Sequence, residues 1–153
     1  MNAMPADSFL PLFDRLGGVT QAGSNRQGID TADSRHALQH DLVRILNARN
    51  GLTIDQFLDG APNSLHYGLP DLLGLSPQSV SDLQRLERVI SRAISVYEPR
   101  LVQVRVQARF DVARPASAQV TVSALAALDR QPRRIDFALD LGAQSVRIRE
   151  SRP

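Results

Sequence analysis

Residues 101 to 149 constrain the fold most. Between Leu101 and Phe110, Val102, Val104, Val106, Ala108 and Phe110 alternate strictly with Gln103, Arg105, Gln107 and Arg109. A period of two places successive side chains on opposite faces of a strand, so one face is expected against a core and the other in water. The same pattern returns at Ala118, Val120, Val122 and Ala124, and at Ile135, Phe137, Leu139 and Leu141. After a turn at 141–145, Val146 and Ile148 alternate with Arg147 and Arg149. The short connections predict an antiparallel meander.

A sheet with one apolar face needs a cover, and two segments offer it. In SRHALQHDLVRILNARNG, Leu38, Leu42, Ile45 and Leu46 recur at helical spacing. Asp33 or Ser34 is expected to cap its start, and Asn50-Gly51 to supply a left-handed stop. In SVSDLQRLERVISRAISVY, the buried side is expected at Leu83, Leu86, Ile90, Ala93, Ile94 and Tyr97. Arg85, Glu87, Arg88 and Arg92 are expected to face outward, with Glu87 pairing loosely with a neighbouring turn. Residues 51 to 78 read as an ordered connector pinned by Leu65, Tyr67, Leu69, Leu72, Leu73 and Leu75. The expected fold class is α+β: two main amphipathic helices packed on a mostly antiparallel β-sheet, with a flexible N-terminal arm. The expected division is an arm at 1–33 and a single domain at 34–153. In the arm, Phe9, Leu10, Leu12, Phe13 and Leu16 form an apolar patch ahead of a polar, glycine-rich linker. That patch docks on its own domain or on a partner, helix-in-groove being the usual mode.

Composition removes several classes of chemistry. With no cysteine among 153 residues, disulfides and thiolate metal sites are excluded. His36 and His40 stand four apart on one helix face, but no third ligand is evident nearby, so they read as solvated histidines. No apolar run reaches the roughly 18 residues of a membrane span, and MNAMPADSFLPLFDRLGG lacks the basic start and apolar core of a secretory signal. A cytoplasmic chain without cofactor or metal is expected. All 18 basic side chains are arginine, yet the formal net charge is only +2. Arginine forks suit carboxylate or phosphate pairing. A nucleic-acid module would use Arg105, Arg109, Arg133, Arg134, Arg147 and Arg149, but no aromatic stands among them to stack a base.

The hinge Glu98-Pro99-Arg100 joins the second helix to the first strand. Proline disfavours helical geometry at the preceding residue and fixes its own φ, so the helix should end near Tyr97 at a stiff corner. Glu98 and Arg100 either bridge to each other or are offered to a partner, and both can hold. A glycosidase acid would need a carboxyl raised by burial and a second carboxylate at a set distance. Arg100 beside Glu98 favours the ionised form instead.

Taken in order, LFDRL (12–16), DLVRILNAR (41–49), LHYGLPDL (65–72), YEPRL (97–101) and FALDL with VRI (137–148) resemble the TssE family, baseplate subunits of the bacterial type VI secretion system. That family is similar to the wedge proteins that initiate the sheath of contractile phage baseplates. The resemblance implies a non-enzymatic, cytoplasmic protein that joins a wedge containing TssF and TssG, with TssK in the same baseplate. It also implies that the sheet seeds polymerisation of the TssB and TssC sheath by accepting strands. Partner contacts are expected at Glu98, Pro99 and Arg100, at Arg147 and Arg149, and at Phe9, Leu12 and Phe13. No nucleic acid and no membrane insertion are expected.

Overall fold

The computed structural model describes residues 31–61, 63–127, 132–141 and 146–149. Four strands follow one another as a meander: β1 (Leu101–Phe110), β2 (Ala118–Ala126), β3 (Arg133–Leu141) and β4 (Val146–Arg149). They are antiparallel neighbours in the order β1-β2-β3-β4, as the short connections require. Two long helices, α1 (Thr31–Asn47) and α3 (Val80–Tyr97), precede the sheet, with a short α2 (Ile54–Asp59) and a single 3-10 turn at Ser64–His66 between them. The fold is α+β.

Packing follows the apolar periods. Leu38, Leu42, Ile45 and Leu46 of α1 are fully buried, as are Val89, Ile90, Ala93 and Ile94 of α3. They meet Val120, Val122 and Ala124 of β2 and Ile135, Phe137 and Leu139 of β3. The alternation in β2 and β3 is therefore a burial alternation. In β1 it is weaker: Val104, Val106 and Ala108 are half-buried and Phe110 lies 36% exposed, because β1 is an edge strand with a neighbour on one side only.

Three local readings change. Asp33 and Ser34 lie inside α1, since the helix is already formed at Thr31. The polar residues there carry no apolar period but tolerate helical geometry. The helix stops at Asn47, before Asn50-Gly51, and Gly68 is the glycine with positive φ among the described residues. The connector at 51–78 also contains α2, whose start is a reciprocal capping box: Gln56 N–H donates to Thr53 Oγ1 and Thr53 N–H donates to Gln56 Oε1.

Within that connector Ile54 and Phe57 of α2 join the core, as does Leu69, which is also tied down by its backbone. Its amide donates to the Ala48 carbonyl (2.9 Å), and its carbonyl accepts from the Asn50 amide (2.9 Å). Asn50 extends the tie: its side-chain amide donates to the carbonyls of His66 and Gly68, both at 3.1 Å. The close approach depends on Gly68, at φ +102°, where a Cβ would stand 2.5 Å from the Ala48 carbonyl oxygen. Leu65 and Leu73, expected to pin the connector, are instead 89% and 83% exposed. The hydrogen bonds of Leu69 and Asn50 already fix the loop's path, and that path turns both leucines outward.

Candidate interaction corner and sheet edges

The corner forms where α3 ends. Glu98 caps the helix, its amide donating to the Ile94 carbonyl (2.8 Å), and its own carbonyl accepts from the Leu101 amide (3.0 Å). Pro99 follows, exposed at the tip of the turn. The Glu98 side chain points inward and is only 3% exposed. Arg100 grips it as a fork: Nε donates to Oε1 and Nη2 donates to Oε2, each at 2.6 Å. The same Nη2 also donates to Asp41 Oδ2 on α1. One guanidinium, 15% exposed, thus ties the end of α3 and the start of β1 to α1. The Glu98 fork, and after it Asp41, outweigh burial and push the already high arginine pKa further up. Arg100 is therefore charged at every accessible pH.

Two tyrosines flank the corner. Tyr97, the last residue of α3, donates its hydroxyl to the His66 carbonyl (2.5 Å) and stacks obliquely on Tyr67, with ring centroids 5.1 Å apart. Burial, and after it the Asp41 carboxylate, push the Tyr67 phenol above its usual value. Burial does the same to Tyr97.

The outer sheet face is mixed in charge. Asp136 and Asp140 of β3 sit among the arginines, Arg134 pairing with Asp136 (3.5 Å) and Arg114 with both Asp140 (3.2 Å) and Asp111 (3.0 Å). A phosphate-binding surface would keep such carboxylates away.

The two edges of the sheet differ. Along β1 the register slips between Val102 and Arg105, with Gln103 at φ +53°. Further on, the Ala108 amide donates away from β2 to Glu87 Oε1 of α3 (2.7 Å). Glu87 therefore reaches the sheet edge, where a loose pairing with a turn was expected. At the other edge, the β4 backbone pairs with β3 alone among the described strands: Val146 opposite Leu141, Arg147 opposite Asp140, Ile148 opposite Leu139 and Arg149 opposite Ala138.

Of the residues singled out from sequence, Glu98, Pro99 and Arg100 are brought together with Asp41 at the corner. The backbones of Arg147 and Arg149 lie on the terminal edge strand. Phe9, Leu12 and Phe13 lie outside the described residues. His36 and His40 are both exposed, and no cluster of three metal-ligating side chains exists among the described residues. Asp41, Glu87 and Asn50 carry tertiary roles that sequence reasoning missed. Their partners lie 59, 21 and up to 18 positions away, beyond any local pattern.

These features define an α+β scaffold whose buried charges join its own elements and whose terminal strand, β4, pairs with β3 and packs beside α1. The chain belongs to the family described as baseplate wedge protein gp25, which matches residues 32–132. No curated protein sequence matches it. Among solved structures, a chain of "The baseplate complex from the type VI secretion system" is similar at 17% identity and a TM-score of 0.46, over 78% of this chain and 97% of that one. Membership of the wedge family gives the chain a structural role in a baseplate, with other baseplate components as its partners.

Proposed function

We propose that the protein is the TssE-type wedge subunit of a type VI secretion baseplate, binding TssF and TssG, within reach of TssK, and seeding the TssB/TssC sheath by strand addition. The observation that carries this reading is the wedge-family match across α1, α3, β1 and β2. The motif order from LFDRL to VRI narrows it to the type VI branch. An antiparallel edge offers amides and carbonyls that a foreign strand can complete, and β4, last in the strand order, is the edge assigned to this role. Arg147 and Arg149 on that strand suit an acidic incoming strand. Phe9, Leu12 and Phe13 offer an apolar anchor to the wedge. No helix among the described residues is long and apolar enough to cross a membrane, which suits assembly on the cytoplasmic side.

The corner serves the wedge by holding its shape. Glu98 and Arg100 are spent on each other and on Asp41, so the surface offered to a neighbour is Pro99 and the rim of Arg100. No hydrolase role is assigned to Glu98. Both its oxygens accept from Arg100, and the side chain is 3% exposed, so the carboxylate faces its own guanidinium and not a substrate in solvent. Co-purification of TssF and TssG with the tagged chain tests the reading. Glu98→Ala and Arg100→Ala are expected to keep helical circular dichroism yet recover less wedge complex. Full recovery with both variants would remove the corner from the interface, and no recovery with the unaltered chain would remove the function.

A further inference from the structure

The two sheet edges are not equivalent, and the difference is built by two features with no other evident use. Glu87 lies on α3, ten residues before the helix ends, and its neighbours Leu86, Val89 and Ile90 are buried. It could have faced water, as its charge prefers. Instead its carboxylate accepts from Ala108, 21 positions along the chain, at 2.7 Å. In an antiparallel ladder, a residue whose amide points away from its neighbour has its carbonyl pointing away too, and the direction repeats every second residue. Ala108 therefore marks the outward set of β1, with Val106 and Phe110 on either side. Glu87 occupies the central outward donor of the regular stretch Arg105–Phe110. The second feature is the slip at 102–105, where Gln103 adopts the left-handed region that a non-glycine residue rarely enters. Irregularities of this type twist an edge away from a flat partner.

We infer that the outer edge of β1 is guarded against incoming strands by Glu87 and by the Gln103 irregularity. An arriving strand would have to displace a charged acceptor from Ala108 and would bring a neutral carbonyl in its place, while the stranded carboxylate faced that strand's own carbonyls. The slip removes the register that a strand continuing toward Leu101 would need. The strand most readily available to an unguarded edge is β1 of a second copy, since two identical antiparallel edges are complementary about a twofold axis. For the assembly proposed above, on which its biological meaning rests, the guard removes β1 as a site of strand addition.

The guard can be tested on the isolated chain, without sheath or wedge. The chain contains no cysteine, so Gln107→Cys places a single thiol on the exposed face of β1, beside Ala108. Disulfide cross-linking of Gln107→Cys is then compared with the same substitution in Glu87→Ala and Glu87→Gln backgrounds. The expected result is cross-linking roughly tenfold faster with Glu87→Ala, equivalent to about 1.4 kcal/mol, the scale of one hydrogen bond to a charged acceptor. Glu87→Gln retains an acceptor oxygen and is expected to stay near the parent rate. The Ala108 amide is expected to lose hydrogen-exchange protection in Glu87→Ala and keep it in Glu87→Gln. Equal cross-linking in all three backgrounds, with circular dichroism confirming the fold, would overturn the inference. Because no sheath protein is present, that result would leave the wedge and sheath assignment standing. A normal guard with failed sheath seeding would do the reverse.

Discussion

At the residue scale, two positions decide whether the helices and sheet meet correctly. Gly68 combines φ +102° with a backbone approach that leaves no room for a methyl group. Gly68→Ala is expected to cost about 2 kcal/mol or more, read as a lower urea midpoint with an unchanged slope. An unaltered midpoint would show that the Ala48 backbone yields to the added carbon. The second position is Arg100. Removing Glu98 leaves a mostly buried guanidinium with Asp41 alone, and Glu98→Ala is expected to destabilise by roughly 2–4 kcal/mol. Asp41→Ala leaves the fork intact and is expected to cost about half as much. Equal losses for the two would mean that the fork is not the stronger tie. Sequence made the Glu98–Arg100 pair legible because the two residues bracket a proline. It concealed Asp41, one of many polar residues on an amphipathic helix.

At the scale of elements, the strands were the most readable. Apolar alternation at Val120–Val122–Ala124 and Ile135–Phe137–Leu139 is a direct image of burial, and the long helices declare themselves by the spacing of Leu38, Leu42 and Leu46 and of Leu86, Ile90 and Ile94. Reading failed where geometry is set by backbone hydrogen bonds and not by apolar period. Apolar content predicts an ordered connector pinned by Leu65 and Leu73, yet both face outward, and the capping box of Thr53 and Gln56 starts a helix there that apolar spacing does not announce. The β1–β2 connection shows a different device. Burial pushes the Asp111 carboxyl up, but the Ala113 amide, Gln119 and Arg114 together hold it below the ordinary range. Asp136 is likewise held low, first by the Ser123 hydroxyl and then by Arg134, against the effect of burial. A carboxyl that binds its proton less readily in the folded state stabilises the fold above its unfolded pKa. That contribution disappears as the pH falls through the lowered value. Stability should therefore decline as pH drops below the ordinary carboxylate range, and the decline should be shallower in Asp111→Asn. Parallel pH profiles of urea midpoints for the two proteins would contradict this assignment. Tyr97→Phe, which releases the His66 carbonyl, is expected to cost about 1 kcal/mol by the same measurement.

At the scale of the whole molecule, the proposed function requires that strands be received at one edge of the sheet. The corner fixes the angle at which α3 gives way to β1, the Glu87 guard closes that strand, and the meander carries the sheet to β4. The central claim is that foreign strands join there. Its most direct test is a pair of edge substitutions scored by sheath assembly in cells. Proline is placed at Val146 and, separately, at Arg147, one of which must present its amide outward in an alternating ladder. Ala108→Pro serves as the control on β1. The account predicts that one of the two β4 prolines abolishes sheath assembly while circular dichroism and wedge co-purification persist, and that Ala108→Pro still supports sheaths. Normal sheaths with both β4 prolines, or loss of sheaths with Ala108→Pro in a folded, wedge-bound protein, would contradict it.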